Sequence, residues 1–239
     1  MTVQQEELRA GGDDRSDAIK KLLWAGISAV LVVGFALLPA TGVNLSFGFY
    51  TIMWLVMASA FNFVAGLTGY MPFGYVAFYG VGAYTTGILY KSYGFPIPVA
   101  LIGAGDAGVV IALLLAPTLR LRGVYFGIVS LALAMAIKLL ISLMPADIAG
   151  GSIGLILSSA NDPVSSYYVM VALLVATLGT GAWLSMSKVG ISLRAIRDDR
   201  EAAEIVGVNV VKVRLIAWIA AAIFPALAGG VEAWYTNAI

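Results

Sequence analysis

Seven apolar runs, each close to the length a helix needs to cross a bilayer, make up most of this sequence. They cover residues 22 to 39, 47 to 67, 73 to 90, 97 to 119, 124 to 143, 167 to 186 and 213 to 235. A helix rises 1.5 Å per residue, so about 20 residues cover a hydrocarbon core of about 30 Å. The expectation is an all-α, polytopic transmembrane helical bundle of about seven spans over residues 22–239, preceded by a polar tail over residues 1–21. The third run carries Gly74, Gly80, Gly82 and Gly87 and is expected to be broken or re-entrant. The first run is read as an uncleaved span rather than a signal peptide, because the polar region before it is long and contains many acidic residues.

Composition excludes most other classes. With 61% hydrophobic and 11% charged residues and a mean hydropathy of +0.95, the chain is far too apolar for a soluble domain. It has no Cys and no His, which removes disulfides, thiol chemistry and the commonest metal ligand and general base. No enzyme activity, cofactor, metal or nucleic-acid partner is expected. Charge placement sets a topology: with the N-terminus inside, twelve of the fourteen basic residues fall on the inner side, leaving Lys91 outside and Lys138 within a span.

The one long charged island runs from Ser187 to Val213 and must lie outside the hydrocarbon. Asp198 is placed to cap a short helix, with Glu201 as its capping-box partner and Gly207 ending it in the left-handed conformation. That predicts a helix over Asp199 to Val206, followed by Asn209 as the cap of the last span. Glu201-Ala202-Ala203 followed by Gly207, led in by Ser192-Leu193-Arg194-Ala195-Ile196-Arg197, resembles the coupling-helix motif of ABC importer permeases. The resemblance implies that Arg194, Arg197, Glu201, Ala202, Ala203 and Gly207 serve ATPase coupling, with the small Ala203 on the face that approaches the ATPase.

Glycines at 66, 69, 74, 80, 82 and 87 let backbones approach closely or let a helix break. Leu67-Thr68-Gly69, Gly74, Ala77-Phe78 and Gly80-Val81-Gly82-Ala83-Tyr84-Thr85 are similar to the glycine-rich signature of the LivH/LivM family of branched-chain amino acid permeases. Tyr75 stands where that family often has histidine. Leu119 to Phe126 (LRLRGVYF) and Ala149 to Leu155 (AGGSIGL) resemble further family segments and favour the LivM branch, with Ala149, Ile153 and Met135 as departures. Such permeases continue beyond the point matching Ile239, so the sequence is expected to lack their C-terminal spans.

The family implies an inner-membrane subunit, bacterial or archaeal, that moves branched-chain or other small amino acids inward. Its partners would be two ABC ATPase subunits, a second, LivH-like permease subunit and an external substrate-binding protein. The chain has no Walker A loop, so the nucleotide would be hydrolysed in those partners. Asn62, Gly66, Thr68, Gly69, Gly74, Gly80, Gly82 and Tyr84 are the expected lining of a substrate path. Two alternatives stay open: an ABC permease for urea or short amides, and a stand-alone secondary transporter or channel. The second would depend on Asp106 and Lys138 as coupling groups, with Glu232 near the outer end. Gly103 to Gly108 matches G-x-G-x-x-G but lies within an apolar run with no strand before it, and reads as helix packing. Ala222, Ala226 and Gly230 form a second small-residue stripe.

Overall fold

The computed structural model describes residues 26, 28–41, 44–121, 123–145, 155–157 and 162–239. The chain divides into two units, residues 1–44 and 45–239. In the first, the described elements are a short apolar helix, α1 (Ser28–Leu37), and a 3-10 turn over Leu38–Thr41. The second holds α2 (Leu45–Thr68), α3 (Val76–Lys91), α4 (Ile97–Leu114), a 3-10 turn over Ala116–Arg120, α5 (Val124–Ser142) and α6 (Pro163–Met186). It continues with α7 (Lys188–Asp198), α8 (Arg200–Ile205) and α9 (Val210–Thr236). The polar tail expected over residues 1–21 and most of the family-like segment Ala149 to Leu155 lie outside the described residues.

Five helices among the described residues, α2, α4, α5, α6 and α9, are long and apolar enough to cross a membrane, making this a multi-pass membrane protein. Of the seven expected spans, the first is represented by the ten-residue α1 and the third by the 16-residue α3. The expected break in the third run is displaced. Residues 69 to 75 are irregular, with Gly69 at φ 73°, and α3 then runs unbroken through Gly80, Gly82 and Gly87. At 1.5 Å per residue α3 spans about 24 Å, a little short of the hydrocarbon thickness.

The second unit is built around α9, which packs against α3, α4, α2 and α6. Small residues bring the backbones together. A Cβ on Gly82 would overlap the carbonyl oxygen of Ala226, one on Gly229 would overlap that of Tyr79, and one on Gly108 would press on Ala226. Gly103 and Gly108 are thus contact points of α4, and Ala222, Ala226 and Gly230 are all buried. Trp218 fixes the rotation of α9: its indole N–H donates to the Ala112 carbonyl at 3.2 Å, and its ring meets Phe78 and Phe126 edge to face.

Away from these contacts the surface is apolar. On α5, Phe126, Ser130 and Ala134 are buried at four-residue spacing, while Leu131, Met135, Leu139 and Leu140 point outward. An apolar outer face of this kind belongs in lipid. At one end of α9, the chain at 237–239 pairs with 155–157 through Leu157 N–H to Asn237 O (2.8 Å) and Ile239 N–H to Leu155 O (3.0 Å).

Candidate functional site

The charged island folds into a small body of its own at the start of α9. Ser187 caps α7 by accepting from the Gly190 amide at 3.2 Å. The cap of α8 is Asp199, not Asp198 as expected: Asp199 has the extended backbone (φ −153°) that a cap needs, and its carboxylate accepts from the Glu201 and Ala202 amides at 2.8 and 3.0 Å. Asp198 instead closes α7, so Glu201 stands one place too early for a capping box.

α8 ends in a Schellman motif, with Val208 N–H donating to Ala203 O, Gly207 N–H donating to Glu204 O, and Gly207 at φ 90°. Asn209 then caps α9 through the Lys212 amide at 3.0 Å. Ile196, Ala203 and Val210 form a buried cluster, flanked by Ala195, Val208 and Val213, that welds α7, α8 and the start of α9 together.

This cluster reverses the expected orientation of α8. Ala203 is only 3% exposed and faces inward, so it is not on a docking face. The outward residues are Glu201, Ala202, Glu204, Ile205 and Val206, with Ile205 85% and Val206 77% exposed. Two large apolar side chains at the tip of a polar loop are what the sequence reading missed. Their position just before a helix-ending glycine was the available signal.

The two sequence motifs meet in space. Arg197 Nη1 donates to the Gly66 carbonyl at 2.7 Å, relieving one of the carbonyls left open at the end of α2. A Cβ on Gly69 would sit 3.3 Å from Arg197 Cγ, and Gly69 also needs its positive φ. Arg200, the first residue of α8, pairs with Glu204 (3.0 Å) and reaches the Tyr70 hydroxyl at 3.5 Å.

Arg214, in the first turns of α9 and 2% exposed, lies 3.8 Å over the Tyr70 ring and 5.2 Å from that of Phe126. Its Nη1 donates to the Leu119 and Leu121 carbonyls, while Nε and Nη2 have no hydrogen-bond partner among the described residues. Arg194 acts more locally, donating to the Ser185 carbonyl at 2.8 Å.

Between α2 and α6 lies a cleft of about 290 Å³ lined by Ser59, Asn62, Phe63, Leu67, Thr177, Leu178, Gly181, Ala182 and Ser185. Its lining is uncharged. The Asn62 amide folds over Gly66, where any Cβ would overlap its oxygen, and the same Gly66 carries the carbonyl held by Arg197. The cleft-lining Asn62 and the charged loop therefore meet at Gly66, which does not itself line the cleft.

Of the eight residues expected along a substrate path, only Asn62 lines this cleft. Gly66, Thr68 and Gly69 sit at the end of α2, with the Thr68 hydroxyl bonded to Val64 O. Gly74 accepts no side chain because Ser130 O would collide with it, and its amide donates to Ser130 Oγ. Gly82 is the contact with α9, Gly80 faces open space and Tyr84 is half-buried on α3.

Tyr75 joins an aromatic group with Phe61 and Phe78. Asp106 and Lys138 are both exposed on their helices and form no ion pair with each other, while Glu232 is half-buried on α9 and the Tyr79 hydroxyl of α3 donates to Met53 Sδ at 3.6 Å. No group of three or more His, Cys, Asp or Glu side chains with metal-binding proximity occurs among the described residues.

Residues 43–239 match the family described as branched-chain amino acid transport system / permease component. Among curated proteins, the chain is similar to the high-affinity branched-chain amino acid transport system permease protein LivM of Escherichia coli (strain K12), at 26% identity over 88% of this chain. It is 27% identical, over the same share, to the protein of that name from Salmonella typhimurium. In both comparisons the match spans 57% of the relative's length. No solved structure gives a significant match. With an all-helical apolar bundle, a glycine-rich α2–α3 connection and a charged loop joined to it, the chain belongs to the branched-chain amino acid transport permease family.

Proposed function

We propose that this chain is a permease subunit of an ABC importer, translocating branched-chain or other small amino acids inward across the inner membrane of a bacterium or archaeon. ATP is hydrolysed by two partner subunits that receive the α7–α8 loop on the cytoplasmic side, the side on which the N-terminus also lies. A second permease subunit and an external substrate-binding protein complete the assembly.

The observation that carries this reading is the exposed Ile205–Val206 tip on a helix capped at both ends and welded to α9. Exposed apolar side chains beside Glu201 and Glu204, outside the membrane, suit burial in a cleft on a soluble partner. The rigid seat suits the transfer of force. The uncharged α2–α6 cleft fits a small solute with an aliphatic side chain, with Asn62 and Ser59 offering hydrogen bonds.

Ile205→Asp combined with Val206→Asp tests it. The double variant should insert normally and lose copurification with the ATPase subunits together with uptake of labelled leucine, isoleucine and valine. Undiminished association and uptake would sink the proposal.

A further inference from the structure

We infer that Tyr70 is the positioning residue that passes displacement of the α7–α8 body to the start of α3. The inference rests on the ATPase-coupling reading above and adds to it the element that receives the force. Tyr70 lies in the irregular stretch 69–75 between α2 and α3, bonded locally through its amide to Thr68 Oγ1 at 3.3 Å. Its hydroxyl is 3.5 Å from Nη1 of Arg200, the first residue of α8, and its ring lies 3.8 Å beneath the guanidinium of Arg214 in α9. One side chain is therefore held by both parts of the body that meets the ATPase.

The parts differ in stiffness. α8 is fixed to α7 and α9 by the Ile196–Ala203–Val210 cluster and by caps at both ends, so it moves as a unit with the start of α9. The stretch 69–75 has no repeating backbone ladder and contains the left-handed Gly69. A shift of the stiff body is taken up in the compliant stretch, and Tyr70 is where the two are joined. The far end of that stretch is anchored as well, by the Gly74 amide on Ser130 of α5, so the displacement reaches α3 and α5 together.

Arg214 supplies room for a second arrangement. It is buried, its ring contacts are with Tyr70 and Phe126, and two of its donor groups have no partner among the described residues. Buried donors without partners are expensive to keep, and a rearranged 69–75 stretch, whose Tyr70 ring Arg214 already covers, would offer them a carbonyl. The arginine thus favours movement of the stretch it covers rather than only bracing it.

Two substitutions separate the contacts. Tyr70→Phe keeps the ring under Arg214 and removes only the hydroxyl at Arg200, while Arg200→Ala removes the other partner. In the purified permease, amide exchange at Gly69, Tyr70 and Gly74 should rise about fivefold in each variant, the size of one modest hydrogen bond, and no further in the double variant. In liposomes holding the assembled transporter, Tyr70→Phe should retain ATPase association and take up about fivefold less labelled leucine per ATP hydrolysed, a ratio that a merely structural residue leaves unchanged.

Additive exchange effects in the double variant, or no effect of Tyr70→Phe on exchange, would overturn the inference. So would coupled exchange with an unchanged ratio of uptake to hydrolysis. Coupled exchange in a permease whose Ile205→Asp/Val206→Asp variant still holds and uses its ATPase would instead refute the docking reading.

Discussion

Replacing Ala203 with Glu tests the inward orientation of α8 directly. Ala203 touches Ile196 and Val210 in a cluster of three buried residues, and its own exposure is 3%. A carboxyl group forced into that space stays neutral without a partner, at about 1–3 kcal/mol, and overpacks the site by about 1–3 kcal/mol more. Together these amount to roughly 2–6 kcal/mol, a large cost for a helix of only six residues. The helix should detach from its seat while the apolar length of α9 and its insertion are untouched.

Amide exchange provides the assay, because four bonds report on this turn: Ala203 N–H to Asp199 O, Val206 N–H to Ala202 O, Gly207 N–H to Glu204 O and Val208 N–H to Ala203 O. A loss of roughly 2 kcal/mol accelerates their exchange about 30-fold. Ala202→Glu, one residue away on the exposed side, should leave all four near wild type. Equal protection in the two variants would show that Ala203 does not face inward and would refute the reasoning.

Gly82→Leu should prevent folding of the bundle, because the new side chain would have to pass through the Ala226 backbone, whereas Gly80→Ala should be tolerated within about 0.5 kcal/mol; thermal unfolding in detergent distinguishes them. The Asp162 carboxylate caps α6, and its hydrogen bonds from Ser165 hold its pKa below the ordinary value. A depressed carboxylate stabilises above the unfolded value of about 3.9 and loses that contribution as pH falls through the folded value, so Asp162→Asn should flatten the acid limb of α6 stability below about pH 4 while changing little at pH 7. Because the chain has no native cysteine, Ile205→Cys and Tyr93→Cys, both at exposed positions, should label from opposite faces of the membrane with an impermeant maleimide; labelling from one face would refute the proposed orientation.

Local signals in the sequence carried the fold further than the site. Asn209 was legible as a cap and Gly207 as a left-handed stop because both act within a few residues of themselves. The choice between Asp198 and Asp199 was not legible: the two are chemically alike, and the structure that surrounds them includes Arg197's hold on Gly66, 131 residues away.

The facing of Ala203 was hidden for a related reason, since a six-residue helix has too few turns to show which side is apolar. In the bundle itself, α5 reads as apolar on every side because lipid and protein interior favour the same residues. Only the burial of Phe126, Ser130 and Ala134, with Ser130 against Gly74, betrays the stripe. The Arg214 clamp was unreadable, as its partners Tyr70, Leu119 and Phe126 come from two distant connections and another helix.

The placement of α9 also governs how the protein is made. α2, α3, α4 and α6 all lean on a helix that leaves the ribosome after every one of them. At a synthesis rate of about 5–20 residues per second, the stretch between α4 and α9 keeps the nascent chain waiting for on the order of ten seconds. Throughout that time the shallow grooves at Gly82 and Gly108 face lipid or an insertion factor instead of Ala222 and Ala226. A ribosome that stalls before residue 210 leaves those grooves without the helix that fills them.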